Sequence, residues 1–303
     1  MTRKIALIAF AGLAAAQSIA GAQTLSSFAL NDGLFRYSES AISGTANRTG
    51  TGAGSANFGF IGTNTSAGNS NVASDYLYQN WWWYRSAGDS REFALSNQTF
   101  GQTNLAGNSV TLRYDEPIGG STTNRLVFEL TYTLNQISTT QSAVTINWSI
   151  FNQSSVVQPV SFFAYADSDM SFTSFSDDNG TYTPGSGVNT YRNDNSLTDT
   201  ARFFSMSADL RLNDGWQVGP YSTSNVVAPL ANLVNGTVNN LSNSDTIAGA
   251  GDNAGALQWN LEIPAGQSLG GRVTKGYNYV VPTPGVLALA GIGGLVAARR
   301  RRA

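Results

Sequence analysis

The stretch "YADSDMSFTSFSDDNG" places Asp167, Asp169, Asp177 and Asp178 within one short segment. Carboxylates gathered in this way suit Ca²⁺, a hard cation that takes about six to eight oxygen ligands. Asp167-x-Asp169 opens like a calcium loop, but glycine and glutamate are missing from the later positions such a loop needs. The competing reading is a strand running into an Asp/Asn/Gly turn, whose short polar side chains satisfy the backbone. No cofactor is expected, with calcium at these four aspartates as the exception to test.

A second candidate is "NWWWYR", with Trp81, Trp82, Trp83 and Tyr84 in sequence. On a strand Trp81 and Trp83 face opposite to Trp82 and Tyr84, so at least one pair enters the core, and a second pair left exposed would suit stacking on a sugar ring. The alternative is that a second layer covers that face too. Glycoside cleavage would use two carboxylates about 5 to 10 Å apart. Glu92, Glu116, Glu129 and Glu262 are present, but their spacing selects no pair, and no catalytic residue is assigned. The expectation from these residues is a protein that is not an enzyme.

Cysteine and histidine are both absent. That removes disulfides, cysteine nucleophiles, thiolate or imidazole metal sites, and any Ser-His-Asp triad. Of the 17 Lys and Arg, six lie at the ends (Arg3, Lys4 and Arg299 to Arg302), leaving 11 against 19 acidic groups between them. A surface of that sign does not suit nucleic acid, which needs basic groups to displace phosphate counterions.

The elements that must position these residues read as strands. In "NRLVFELTYTL", Leu126, Phe128, Leu130, Tyr132 and Leu134 share one face, and Val144, Ile146, Trp148 and Ile150 repeat the alternation after a polar turn. "VSFFAYADSD" adds a third strand, and further short runs bounded by Gly, Asn, Asp, Ser or Pro recur along the chain. The spacing predicts an all-β fold, a large antiparallel sandwich over residues 23–279. One or two helical turns are expected near Pro229 in "VVAPLANLVNG". Residues 43–74 and 235–255, poor in apolar side chains, read as surface loops.

The two ends address the chain. Residues 1–22 carry Arg3 and Lys4, then an apolar run, then small residues at Ala20 and Ala22, the order of a secretory signal peptide cleaved after Ala22. At the other end, residues 280–303 present Val281-Pro282-Thr283-Pro284, an apolar stretch from Val286 to Ala298, and Arg299, Arg300, Arg301 and Arg302. The stretch reads as a short transmembrane helix, and the arginines hold its C-terminus on the cytoplasmic side. This tail resembles the PEP-CTERM sorting signal of exopolysaccharide-producing Gram-negative bacteria. Thr283 stands where that family has glutamate. The resemblance implies transient anchoring in the inner membrane, recognition of the Pro-x-Pro segment by an exosortase, and release to the outer surface or extracellular matrix.

The sequence therefore predicts an exported cell-surface or extracellular-matrix protein, structural or associated with exopolysaccharide. The alternative is a secreted carbohydrate-binding or carbohydrate-active β-sandwich using the Trp81 to Tyr84 run.

Overall fold

A computed structural model describes residues 23–42, 49, 55–60, 77–168, 178–195, 199–246 and 251–278. The signal peptide with Ala20 and Ala22, the aspartates Asp169 and Asp177, and the tail with Val281 to Pro284 and Arg299 to Arg302 lie outside these residues. Among the described residues no helix is long and apolar enough to cross a membrane.

The strands run in chain order as β1 (Ser27–Asn31), β2 (Phe35–Ser40), β3 (Ala56–Phe60), β4 (Gln79–Ser86), β5 (Phe93–Ala94) and β6 (Gln98–Thr103). There follow β7 (Ser109–Pro117), β8 (Arg125–Gln136), β9 (Gln141–Asn152), β10 (Gln158–Asp167), β11 (Asp178–Thr183) and β12 (Asn189–Asn195). The last are β13 (Asp199–Asp209), β14 (Gly215–Pro220), β15 (Ser244–Asp245), β16 (Asn253–Ile263) and β17 (Ser268–Asn278), with one described helix, α1 (Pro229–Val234). The helix begins at the proline that marked it, which is tolerated in a first turn because its missing N–H would have no partner there.

Eight strands form one sheet in the order β11-β12-β13-β17-β9-β8-β7-β6, six form a second in the order β15-β14-β16-β10-β4-β5, and β1-β2-β3 form a small third. Pairing is antiparallel except for the short β14–β15 contact. The alternation in β8 and β9 is realised in register: Phe128 faces Ile150, Leu130 faces Trp148 and Tyr132 faces Ile146. These side chains meet the six-stranded sheet at Phe162, whose ring lies 5.0 Å from Trp82, 5.5 Å from Phe128 and 5.2 Å from Trp148. The small sheet covers the rest of the same inner face, with Phe28 5.1 Å from Tyr132 and Phe58 5.2 Å from Tyr277.

The six-stranded sheet is covered on its other face as well. Segment 221–246, which contains α1, is pinned across it: Asn232 donates to Gln217 Oε1, the Leu241 N–H to Gln258 Oε1, and Arg85 to the Asn239 carbonyl. The expected loop over 235–255 is thus shorter than its composition suggests, because its start is fastened to the sheet and β16 opens at Asn253.

Candidate functional site

Trp81, Trp82, Trp83 and Tyr84 are all buried, at 1% exposure or less. The Trp81 indole N–H donates to the Leu95 carbonyl at 3.0 Å and Trp82 donates to the Tyr132 hydroxyl at 2.8 Å. Trp83 meets Tyr165 edge-on at 5.9 Å and Tyr84 packs 5.1 Å from Phe128. Of the two readings of this run, full burial holds and the sugar-stacking candidate is corrected: β4 lies inside a sheet covered on both faces, so all four rings are packing.

The glutamates are also placed as structural groups. Glu92 is buried against Arg85, which also reaches Ser161 and Asn240, and it accepts the Asn239 N–H at 3.0 Å. Burial pushes its carboxyl above the usual range. Glu116 accepts the Ser96 and Asn97 N–H groups at 2.6 and 2.8 Å. Glu129 and Glu262 are exposed on their strands.

A polar cluster with open chemistry lies where β10 ends and β16 begins. Asp167 closes β10, and its carbonyl accepts the Tyr78 N–H at 2.9 Å; Asp252 precedes β16, and its carbonyl accepts the Tyr221 N–H at 2.9 Å. These two bonds bring Tyr78 and Tyr221 edge to face, 6.0 Å apart, with Tyr78 about half exposed at 47%. Tyr165 sits two residues before Asp167 on the same face of β10. Its buried hydroxyl and Asp252 Oδ1 have no hydrogen-bond partner among the described residues. Burial raises the Tyr165 phenol, and Asp167, Tyr221, Tyr191 and Asp252 raise it further, so it remains a neutral donor. Burial also raises Asp252.

Of the four calcium candidates, the two described ones reach this same end. Asn193 of β12 donates to the Ser168 carbonyl at 2.8 Å and to Asp178 Oδ2 at 3.2 Å, joining the residue after Asp167 to the first residue of β11. Among the described residues no three carboxylates converge on a metal position. Asp167, Asp178 and Tyr165 are buried, while the part-exposed Asp252 carboxylate and the half-exposed Tyr78 ring reach the surface, a pair of groups that suits a polyhydroxylated ligand.

A second cluster is enclosed where the three sheets meet. Glu39 of β2, Asn80 of β4 and Lys275 of β17 are each 2% exposed or less. Lys275 Nζ contacts Asn80 Oδ1, and Asn80 Nδ2 donates to Glu39 Oε1 and, at 3.1 Å, to the Tyr37 hydroxyl. Tyr37 in turn donates to Glu39. Burial lowers Lys275 to about 7, partly offset by the Glu39 charge, and burial raises Glu39 to about 6, offset chiefly by Lys275. Sequence reasoning passed over this trio. The available signal was parity: Glu39 continues the Phe35/Tyr37 face, Asn80 the Trp82/Tyr84 face, and Lys275 the Val273/Tyr277 face.

No protein-family model matches the sequence, and no curated protein sequence matches it. Among solved structures, the chain is similar to a galactose mutarotase-like protein from Lactobacillus casei, with TM-score 0.48 and 9% identity over 82% of this chain and 99% of that one. It is similar to a polysaccharide lyase with TM-score 0.42 and 10% identity, over 82% of this chain but only 33% of the lyase. A candidate aldose 1-epimerase from Escherichia coli K12 matches with TM-score 0.41 and 8% identity, over 84% of this chain and 99% of that one. The expectation that the chain is not an enzyme is corrected by these neighbours, which carry the names of carbohydrate-active enzymes. At this level of likeness they assign no reaction to it.

Proposed function

We propose that the chain is an exported, carbohydrate-related β-sandwich protein that meets its ligand at the Tyr78–Tyr221 end. The observation that carries this reading is the half-exposed Tyr78 ring set edge-on to Tyr221 at the end of the sheet that also carries the part-exposed Asp252. A pyranose presents a C–H face to an aromatic ring and hydroxyls to a carboxylate, so one sugar would engage both the Tyr78 ring and the part-exposed Asp252. Titration of the purified chain with exopolysaccharide and with neutral oligosaccharides tests it. Tyr78→Ala and Asp252→Asn should each weaken binding about tenfold, or roughly 1.4 kcal/mol. Unchanged affinity in both variants, with folding intact, would remove this end of the molecule as the site.

Delivery follows the reading of the ends. The signal peptide exports the chain, the stretch 286–298 holds it in the inner membrane, and an exosortase acts at Val281-Pro282-Thr283-Pro284 to release it to the outer surface or matrix. In the native host, fractionation and intact mass should find wild type released without its arginine tail. Pro282→Ala with Pro284→Ala should stay in the membrane with the tail attached. Full-length, membrane-held protein in both cases would leave a simple anchored ectodomain.

A further inference from the structure

We propose that Lys275 and Asn80 become joined by an amide bond between Nζ and Cγ, with Glu39 carrying the protons, so that the two facing sheets of the sandwich are covalently tied. The Nζ lone pair attacks Cγ, the Cγ–Nδ2 bond breaks, one Nζ proton passes through Glu39 to Nδ2, and ammonia leaves. An amine and a primary amide give a secondary amide and ammonia, so atoms and electrons balance with no oxidant, cofactor or activated donor.

The geometry meets each requirement of that step. Lys275 Nζ rests against the Asn80 side-chain amide, and Glu39 Oε1 already accepts the Nδ2–H of the group that must leave. The nitrogen and oxygen of an asparagine amide are interchangeable by rotation, and either places Cγ next to the amine. The amine must be neutral to attack, and burial favours that form. Water, which would compete as nucleophile and hold both groups in their charged states, is excluded: exposures are 2% for Glu39, 1% for Asn80 and 0% for Lys275. Tyr37, Tyr132 and Trp82 form the surrounding wall, with the Trp82 ring centroid 6.0 Å from Nζ.

An ion pair explains these residues less well. A lysine held only as a counter-ion to Glu39 would bury two charges inside an aromatic core, where attraction scarcely repays their desolvation. Conversion of the amine to an amide removes the cationic member for good. The linked residues are 195 positions apart and lie in different sheets, so the bond would close most of the chain into a loop. In a chain with no cysteine, this is a route to a covalent cross-link that needs no thiol.

Peptide mapping of the full chain, purified in its folded form, decides the matter. Expected is an intact mass lower by one ammonia, about 17 Da, together with a branched peptide joining the segment around Asn80 to an uncleaved Lys275. The branched peptide is essential, because signal cleavage after Ala22 leaves Gln23 first, and cyclisation of an N-terminal glutamine loses the same mass. Lys275→Met should abolish the branch, Glu39→Gln should abolish it or slow it at least tenfold, and Asn80→Asp should still form it with loss of water instead. Folded wild type that yields only linear peptides, cleaved by trypsin at Lys275, would overturn the proposal whether or not the variants fold.

Discussion

Trp82→Ala is expected to cost about 3–5 kcal/mol of stability, the range for truncating a large buried aromatic. The ring is fully buried and stacked on Phe162 at an interplanar angle of 10°, and Phe162 itself touches Phe128, Trp148 and Trp259. Its removal opens a void between the two large sheets and leaves the Tyr132 hydroxyl without its 2.8 Å donor. The two losses add because the cavity is walled by rings that cannot easily collapse into it. Trp82→Phe separates them: most of the stacking stays and the donor goes, for a cost of about 1–2 kcal/mol. Tyr78→Ala, on a half-exposed ring, should move stability by less than about 1 kcal/mol. Urea unfolding midpoints at constant slope measure all three. A Trp82→Ala midpoint indistinguishable from wild type would mean that Phe162 and its neighbours are not the contact that holds the sheets together.

Much of this architecture can be read from the chain, and the reason lies in the two-residue period. Phe128, Leu130 and Tyr132 alternate with polar residues because the eight-stranded sheet is covered on one face only. The helix at Pro229 is likewise written locally, in a proline that begins a turn and an apolar Leu230/Leu233 pair that buries it. Alternation states which residues share a face, but not whether another layer covers the opposite one, so the fate of Trp81 and Trp83 was open. β10 held the missing cue: Phe162, Ala164 and Ala166 on one parity and Phe163 and Tyr165 on the other form an unbroken apolar run, the mark of a strand buried on both sides. The Tyr78–Tyr221 end was hidden for a different reason. Its residues come from four separate places in the chain and meet only through the antiparallel register of β10 with β4 and β16 and of β16 with β14. Glu39, Asn80 and Lys275 announce themselves one at a time as polar residues at inward parity, and only the packing of three sheets shows that they answer one another.

The Glu39→Gln chain should show a pH dependence of stability that wild type lacks. In chains that have not cross-linked for want of the proton carrier, Lys275 remains a free amine in the core. Burial holds that amine at about 7 even with Glu39 present, against an ordinary value of 10.5, and Glu39 acts to raise it, so its removal lowers the value further. Between the folded and unfolded values the unfolded chain carries a proton that the folded chain has shed. Stability therefore rises with pH across that window, by up to about 1.4 kcal/mol per unit, and levels off only near the unfolded value. From pH 7 to 9.5 the melting midpoint of Glu39→Gln should climb relative to wild type by on the order of 5 °C. In wild type Nζ is part of an amide and does not titrate, so its curve lacks this rise. Adding Lys275→Met to Glu39→Gln removes the amine and should abolish the rise in that chain's own curve. Parallel wild-type and Glu39→Gln curves over this range would show either that both chains keep the free lysine or that neither does, and the presence or absence of the branched peptide tells which.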